Sequence, residues 1–324
     1  MDASEYRKQY AEKLKRVAEK QPDFRDFLDK SKPVSKRLKA LGSSARLLSE
    51  AEQAESVTII RDKEEEPELR ASALRAISRD VGTSGELIDM ALALLRDEAE
   101  PRELRISALQ VLQRLGFTSP IFVSKRAEYL AALRSIVGDK DTRLRQQAIE
   151  ILALVKDEYV QRRLNEGLKN PSRALVNPAK AIQLLGQDVH AELYPLLRKI
   201  ISRPPSPAAK EEAVRLLAGD PNSKELLIKL LRNKKENVKI RTLSAVALQS
   251  LAPAEFTEQA KKIVGDDTED HRLRLTALSG LTHFAAPTAL SGDSAFNERL
   301  VQLSKKSTSM QLRDAATRHL RRRK

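Results

Sequence analysis

The 324-residue sequence predicts an all-α protein built from a series of helical pairs, and three observations support this. Ala, Leu, Arg, Lys and Glu dominate, while aromatic residues make up only 4% of the chain and Trp is absent. Such a composition favours many thin helix–helix contacts over a core of large rings. A short amphipathic string recurs every 31 to 40 residues, and a second amphipathic segment precedes most copies. Together these features predict an α-solenoid of about eight two-helix units.

The recurring string reads Leu, Arg, two variable residues, Ala, Leu, two variable residues and an aliphatic residue. Its apolar positions i, i+4, i+5 and i+8 lie on one helical face, and the small Ala permits close helix packing. We call the helix that carries this string the B helix of each unit. Complete copies begin at Leu69, Leu104, Leu144 and Leu273, and weaker copies begin at Asn177, Ala209, Ile240 and Leu312.

The segment before each B helix predicts a partner, the A helix. Predicted A helices are 86–96, 127–137, 159–168, 191–201, 225–231, 256–264 and 296–303. Prolines agree with these boundaries, because a proline in the first helical turn removes no hydrogen bond. Those near B-helix starts are Pro67, Pro101, Pro178 and Pro207. Pro195 lies inside a predicted A helix, which it should kink.

An A helix containing Pro195-Leu196-Leu197, a polar turn and the Leu-Arg-x-x-Ala string of the B helix resemble the HEAT repeat. The short bacterial form, also seen in phycobilisome-lyase-like proteins, is the most similar. This resemblance covers about residues 43–320 and implies a right-handed solenoid whose B helices line its concave face. The acids expected in the turns are Asp97, Asp139, Asp141 and Asp266. Asn170, Asn233 and the pair Lys305-Lys306 should interrupt the series.

Residues 1–42 lie outside the period and predict an N-terminal helical cap, or alternatively an arm that binds a partner. Tyr6, Tyr10, Leu14 and Val17 share one face of a helix there, and a second short helix should follow near Phe24. The solenoid then spans 43–320, and 321–324 form a short basic tail.

Arginine occupies the second position of most B helices. At a fixed repeat position, arginine typically bridges a turn acid or backbone carbonyls, so we predict a structural ladder of these side chains. A phosphate-binding track is the alternative. The predicted ladder consists of Arg70, Arg105, Arg145, Arg241, Arg274 and Arg313.

The variable positions of the B helices, including Ala71, Ile106 and Ser107, should be exposed on the concave face that the resemblance implies. The surface is mostly small and neutral, whereas a cradle for DNA needs a dense line of cations. We therefore expect it to bind a protein. The residues predicted to contact this partner are Arg75, Gln110, Gln146, Gln147, Glu150, Thr242, Leu243 and Thr276.

The net charge of +14 is concentrated in residues 171–324, which carry +11. Cations that end A helices complement the helix dipole, and this is the simplest explanation for many of them. Repetition could also create a basic edge for an acidic protein or, as the alternative function, for nucleic acid. The residues of this edge are Arg198, Lys199, Arg203, Arg232, Lys234, Lys235, Lys239, Lys305 and Lys306.

Residues suited to catalysis are sparse. There are no cysteines, which excludes thiolate chemistry and favours a reducing, cytoplasmic location. His190, His271, His283 and His319 are scattered and lack the His-Glu pairs by which HEAT-type deoxyhypusine hydroxylases bind iron. No Gly-rich phosphate loop and no apolar membrane segment is evident.

We therefore expect a non-enzymatic scaffold that binds no cofactor or metal. An auxiliary subunit of a tetrapyrrole lyase is a weaker alternative, which rests on resemblance alone.

Overall fold

The computed structural model describes residues 24–42, 48–79, 85–284 and 293–322. Within these ranges every regular element is helical and no strand occurs. The predicted helix over residues 1–20 and the end of the basic tail lie outside the described residues. No helix among the described residues is long and apolar enough to cross a membrane.

The chain divides into two compact units, Met1–Leu152 and Ala153–Lys324. The helices that begin in the first unit are α1 (Phe24–Leu28), α2 (Val34–Gly42), α3 (Glu50–Arg61), α4 (Pro67–Ile77), α5 (Gly85–Arg96), α6 (Arg102–Thr118), α7 (Phe122–Ser135) and α8 (Thr142–Leu154).

The second unit continues the series. Its α-helices are α9 (Glu158–Lys169), α10 (Pro178–Leu185), α11 (Tyr194–Ser202), α12 (Pro207–Leu216), α13 (Lys224–Arg232), α14 (Val238–Leu251), α15 (Pro253–Gly265), α16 (His271–Phe284), α17 (Ser294–Lys306) and α18 (Met310–Arg322). Single-turn 3₁₀ helices at 171–173 and 191–193 precede α10 and α11.

In both units, A helices pack against the B helices that follow them in the chain, as the sequence predicts. In the first unit α1 packs on α2, α3 on α4 and α5 on α6; in the second, each odd-numbered helix from α9 to α17 packs on the next. The B helices α2, α4 and α6 also contact one another in order, as do α10, α12, α14, α16 and α18. The all-α fold built from adjacent helical pairs is therefore confirmed for the described residues.

The apolar positions of the repeat form the core. Every complete copy buries its template alanine completely, with 0% of the surface exposed at Ala73, Ala108, Ala148 and Ala277, and two weaker copies do the same at Ala213 and Ala316. A methyl group at this position lets neighbouring helices approach closely while the flanking leucines fill the space between them. The apolar periodicity of the string therefore determines which residues are buried where neighbouring helices pack together.

The prolines set helix starts with one difference from expectation. Pro67, Pro178 and Pro207 lie in the first turns of α4, α10 and α12. The kink predicted at Pro195 is wrong, because α11 begins at Tyr194 and places this proline in its first turn. The preceding residues form a separate 3₁₀ turn, so proline removes no bond from the helix.

A polar residue opens the turn after most A helices, and the turn after the B helix α12, by a local hydrogen bond. Its Oδ1 atom accepts from the backbone N–H two residues later, which is the geometry of an Asx turn. Asn performs this as well as Asp, since both carry the same acceptor. The residues that do so are Asp29, Asp62, Asp97, Asp139, Asn170, Asp220, Asn233 and Asp266.

Candidate functional site

Buried arginines of the B helices bind the ends of their own A helices. The Nε of Arg70 donates to the carbonyl oxygen of Ile60 at 2.8 Å, and Arg241 donates to Leu231 at the same distance. Each acceptor is ten residues earlier and is the penultimate residue of the A helix, whose last carbonyls lack intrahelical partners. The guanidinium therefore caps the A helix and complements its dipole.

The same arginines reach the turn of the following repeat. Arg70 forms a bidentate pair with Glu100, at 2.8 and 3.1 Å, and Arg241 forms one with Glu269, both at 2.7 Å. Arg105 contacts Asp139 at 2.5 Å. These side chains are almost fully buried. Through these contacts each arginine links three elements: its own B helix, its own A helix and the next turn.

Two members of this series were missed by the sequence analysis. Arg37 on α2 donates to the Phe27 carbonyl at 2.8 Å and binds Glu65 through both carboxylate oxygens. Lys36 replaces the template leucine there, although the signal Arg37-x-x-Ala40-Leu41 is present. The repeat pattern therefore extends into residues 24–42.

Lys210 is the second missed member. It occupies the arginine position of α12, and its ammonium lies 2.6 Å from Glu236 in the next turn. The interruption predicted at Asn233 is therefore wrong, because the partner acid is three residues further along.

The partner acids also differ from those expected elsewhere. Asp97 and Asp266 do not bind the ladder arginines; they form the Asx turns, and Glu100 and Glu269 bind the guanidinium groups. Asp141 caps α8 by accepting from the Leu144 N–H at 2.9 Å. In these two turns the acid that binds the buried guanidinium follows the Asx residue by three positions, whereas Asp139 both forms the Asx turn and binds Arg105.

The remaining predicted ladder arginines bind within their own repeats. Arg145 donates to the Asp139 carbonyl at 2.6 Å, and Arg313 donates to the Ser307 carbonyl at 2.6 Å. Arg274 keeps the contact to its A helix, at Val264, but pairs with Asp267 of its own turn at 3.0 Å. None of these three reaches an acid of the next repeat among the described residues.

The electrostatics of Glu65 show how firmly such an acid is held. Hydrogen bonds from Arg37 keep the pKa of the Glu65 carboxyl below its ordinary value of 4.5, against the opposing effect of burial. The carboxylate is therefore ionised across the neutral range, and the pair is a charged link between α2 and the next turn.

The seventh position of the string carries a variable side chain that is exposed on most B helices. We call these residues the B-surface row. In the first unit they are Arg75, Gln110 and Glu150, and in the second unit they are Gln183, Arg215, Val246, Ser279 and Arg318. All are exposed except Arg75, which is half-buried. The row mixes amides, charges and one aliphatic group.

The predicted partner-binding residues all lie on B helices but differ in exposure. Gln110, Gln146 and Glu150 are exposed, whereas Arg75, Gln147, Thr242, Leu243 and Thr276 are half-buried. The expectation that Ala71, Ile106 and Ser107 are exposed is wrong, because α4 and α6 pack together there and bury them. Arg75 even donates to the Ser107 hydroxyl across this contact.

Four members of the predicted basic edge have side-chain partners within the protein, three of them carboxylates. The engaged members pair as Arg198 with Asp220, Arg232 with Gln259, Lys234 with Asp266 and Lys239 with Glu211. Within the described ranges, the charged groups of Lys199, Arg203, Lys235, Lys305 and Lys306 form no ion pair or hydrogen bond.

The turn 266–270 interrupts this edge along the chain with four acids, Asp266, Asp267, Glu269 and Asp270. A hydrogen bond from Lys234 contributes most to lowering the pKa of the Asp266 carboxyl. The edge is thus a set of separated cations rather than a continuous stripe.

The histidines are dispersed in the structure as in the sequence. His190 lies 3.3 Å from Asp188, while His319 is buried and shares a 2.8 Å hydrogen bond with the Thr282 hydroxyl. In the part of the chain that the structure describes, no three His, Asp or Glu side chains converge as a metal site would require.

No family model matches this chain, and no curated protein is detectably similar to it.

Proposed function

We propose that this protein is a non-enzymatic scaffold of HEAT type that binds a segment of a partner protein along the B-surface row. The observation that carries the proposal is the buried arginine–carboxylate linkage between consecutive repeats, at Arg37, Arg70, Arg105 and Arg241. Such a linkage fixes neighbouring B helices relative to each other and so keeps the distances between their exposed side chains constant. A partner can then contact several repeats with modest energy from each.

The chemistry of the row favours a protein over nucleic acid. Gln110 and Gln183 carry amides that both donate and accept hydrogen bonds, and Val246 offers apolar surface. Arg215 is already paired with Glu212 at 2.5 Å. Phosphate binding needs several uncompensated cations, and the row does not supply them.

Site-specific photo-crosslinking in the native cell tests this proposal. Benzoylphenylalanine introduced at Val246 or Ser279 should crosslink the same partner protein, because both positions belong to the B-surface row of the second unit and lie on the contacting helices α14 and α16. Matched positions on A helices, Arg126 and Glu298, should not capture it. Capture from the A-helix positions alone, or no common product from the two B positions, would contradict the proposal.

Nucleic-acid binding by the basic edge has weaker support. Its free cations are separated by the acidic turn 266–270, and four members of the edge have partners in the protein. Charge reversal at Lys235 and Lys305, both unpaired among the described residues, provides the test. Binding of single-stranded RNA or DNA that falls steeply with salt and is lost in this variant would favour the alternative.

For the chain as a whole, we infer from the repeat spacing a right-handed solenoid of about eight template-bearing pairs, preceded by α1 and α2. The reducing, cytoplasmic location suggested by the absence of cysteine belongs to the same proposal.

A further inference from the structure

Three arginines lie near one another where the B helices α4 and α6 pack together in the first unit. Arg75 lies at the seventh position of the string in α4, and Arg79 and Arg114 each lie two residues beyond the end of a string, in consecutive repeats. Burial lowers the pKa of Arg75 and of Arg114 below its ordinary value, and the positive charge of Arg79 lowers both further. Arg79 is therefore close enough to repel both of the other side chains.

The half-buried guanidinium of Arg75 binds neutral groups. Its terminal nitrogens donate to the hydroxyl of Ser72, at 2.7 Å, and to the hydroxyl of Ser107, which holds the side chain in the groove between α4 and α6. Glu68 opposes the effect of burial on the pKa of Arg75, but in the part of the chain that the structure describes Arg75 forms no ion pair with it or with another acid. Arg75 therefore lacks the counter-ion that a partly buried charge ordinarily requires.

Arg114 crosses the same groove in the opposite direction. Its guanidinium donates to the carbonyl and hydroxyl oxygens of Ser78, the residue that ends α4, and the Ser78 hydroxyl donates to the Arg75 carbonyl at 2.9 Å. Capping of α4 is a sufficient explanation for the position of Arg114. It does not explain Arg75, whose guanidinium is held by serines at the fourth position of two consecutive strings.

The positive charge is confined to this one groove. At the position of Arg75, the neighbouring B helices carry Gly42 on α2, Gln110 on α6 and Glu150 on α8. A nucleic acid requires cations that repeat along its backbone, whereas arginines gathered at one place suit one or two carboxylates, which guanidinium groups bind through paired hydrogen bonds. The groove therefore fits a short acidic segment of a protein better than a polyanion.

We propose that the groove between α4 and α6 binds carboxylate side chains of an acidic segment in the partner protein. Arg75 has five N–H donors and the two serines use two of them, so the others donate to a carboxylate. Arg79 and Arg114 are exposed and attract this carboxylate and an adjacent one. The inference rests on the function proposed above, because Arg75 belongs to the B-surface row, and it specifies the chemistry of the partner.

Pools of fluorescein-labelled octapeptides test the proposal. The two central residues are fixed as Glu-Glu, Gln-Gln or Lys-Lys, and the flanking positions are drawn from Ala, Gly and Ser. Fluorescence anisotropy with the full-length protein should show about tenfold tighter binding of the Glu-Glu pool than of the Gln-Gln pool, as expected for charge-assisted hydrogen bonds. Equal binding of these two pools would overturn the proposal.

Variants locate the preference, since the net charge of the protein alone attracts acidic peptides. The double substitution Arg75→Gln and Arg79→Gln should weaken binding of the Glu-Glu pool about tenfold. The matched control, Arg318→Gln with Arg321→Gln, removes the same charge from α18 and should leave most of the affinity in place. Equal affinities of the two double variants would overturn the assignment. Circular dichroism of both should match wild type, so that lost binding reports on the groove.

Two further probes distinguish carboxylates from phosphates. A pool with one central phosphoserine should bind about as well as the Glu-Glu pool, because both carry two negative charges. Selective binding of the phosphoserine pool, with Glu-Glu no better than Gln-Gln, would overturn the assignment to carboxylates. A 16-nucleotide oligothymidine that binds more tightly than the Glu-Glu pool, and loses this affinity in the Arg75 and Arg79 variant, would overturn the assignment to a protein segment.

The crosslinking experiment separates this inference from the function on which it rests. A common partner captured at Val246 and Ser279, together with no selection of acidic peptides, would leave the proposed function standing and contradict the acidic segment. Selection of acidic peptides that depends on Arg75 and Arg79, without a common crosslinked product, would support the acidic site and contradict binding along the whole row.

Discussion

At the scale of single residues, Arg70 shows how one side chain serves three purposes. It fills a buried position in the B helix, caps the carbonyl of Ile60 and neutralises Glu100 of the next repeat. A buried ion pair often contributes little net stability compared with an apolar pair, because both charges must leave water. Removing only one partner is far more damaging, since it leaves an uncompensated charge inside the protein.

Arg70→Ala should therefore lower the free energy of unfolding by about 3–5 kcal/mol. The matched control is Arg215→Ala, which breaks the more exposed pair with Glu212 and should cost at most about 1 kcal/mol. Urea denaturation followed by circular dichroism measures both. Adding Glu100→Gln to Arg70→Ala should recover part of the loss; a double variant less stable than the single one would contradict the charge explanation.

Glu65 makes the same linkage sensitive to acid. Its pKa is lower in the folded protein than the ordinary value of 4.5, chiefly through hydrogen bonds from Arg37. The stability that this pair contributes is therefore fully present above about pH 4.5 and is lost as the pH falls through the folded-state pKa. Glu65→Gln should give a smaller loss of stability between pH 5 and about pH 3 than wild type. Thermal melts across this range are the measurement, with Glu64→Gln in the exposed turn as the control.

At the scale of helices, close approach between A and B partners depends on small residues. Gly280 on α16 is the clearest example, because a Cβ atom added there would overlap the Phe256 ring of α15. The ring therefore fills the place that any larger residue would take. This contact determines how closely α15 and α16 pack.

Gly280→Ala should consequently destabilise the protein. Alanine gains about 1 kcal/mol of helix propensity over glycine, but overpacking of a well-filled core costs about 1–3 kcal/mol. We expect a net loss of about 1–2 kcal/mol in urea denaturation. Gly265→Ala is the matched control, since nothing lies within 4 Å of a Cβ atom there. Equal or greater stability of the Gly280 variant would show that the ring moves aside at little cost.

Helical elements were the part of the fold that the sequence could predict best. The apolar period of 3.6 residues and the positions of Pro67 and Pro207 determine where B helices lie and begin. The kink predicted at Pro195 was wrong because periodicity alone does not show where a helix starts within an apolar run. Arg37 was missed because the template required a leucine at the position of Lys36.

The candidate sites were harder to predict than the elements. Exposure at the third and fourth positions of the B string depends on the neighbouring helix, so Ile106 and Ser107 are buried although they are variable in the template. The group of arginines between α4 and α6 depends on Arg79 and Arg114, which lie beyond the end of the nine-residue string. The string contains no information about the residues that follow it.

At the scale of the whole molecule, the linkages between a B-helix cation and a carboxylate of the next repeat are unevenly distributed along the chain. They occur at Arg37, Arg70 and Arg105 in the first unit and at Lys210 and Arg241 in the second. Arg145 binds only its own turn, and Pro178 takes the arginine position of α10. Stability should therefore vary along the chain.

Hydrogen exchange should reveal this distribution. Backbone amides of α9 and α10 should exchange faster than those of α4, α6, α14 and α16, because neither Arg145 of α8 nor Pro178 of α10, which occupy the ladder position, links its helix to the turn of the next repeat. Mass spectrometry of deuterated, pepsin-digested protein measures it. Uniform protection across all these helices would mean that apolar packing alone determines local stability.

The long-range linkage also orders events during synthesis on the ribosome. Arg37, Arg70 and Arg105 pair with acids that lie 28, 30 and 34 residues further along the chain and are therefore synthesised later. Each newly translated pair therefore lacks its final bond until the next turn has left the exit tunnel. In the nascent chain, each of these helical pairs is fully linked only after the next turn has been synthesised. If the ribosome stalls, the last pair to be synthesised lacks this linkage and is the least stable part of the chain.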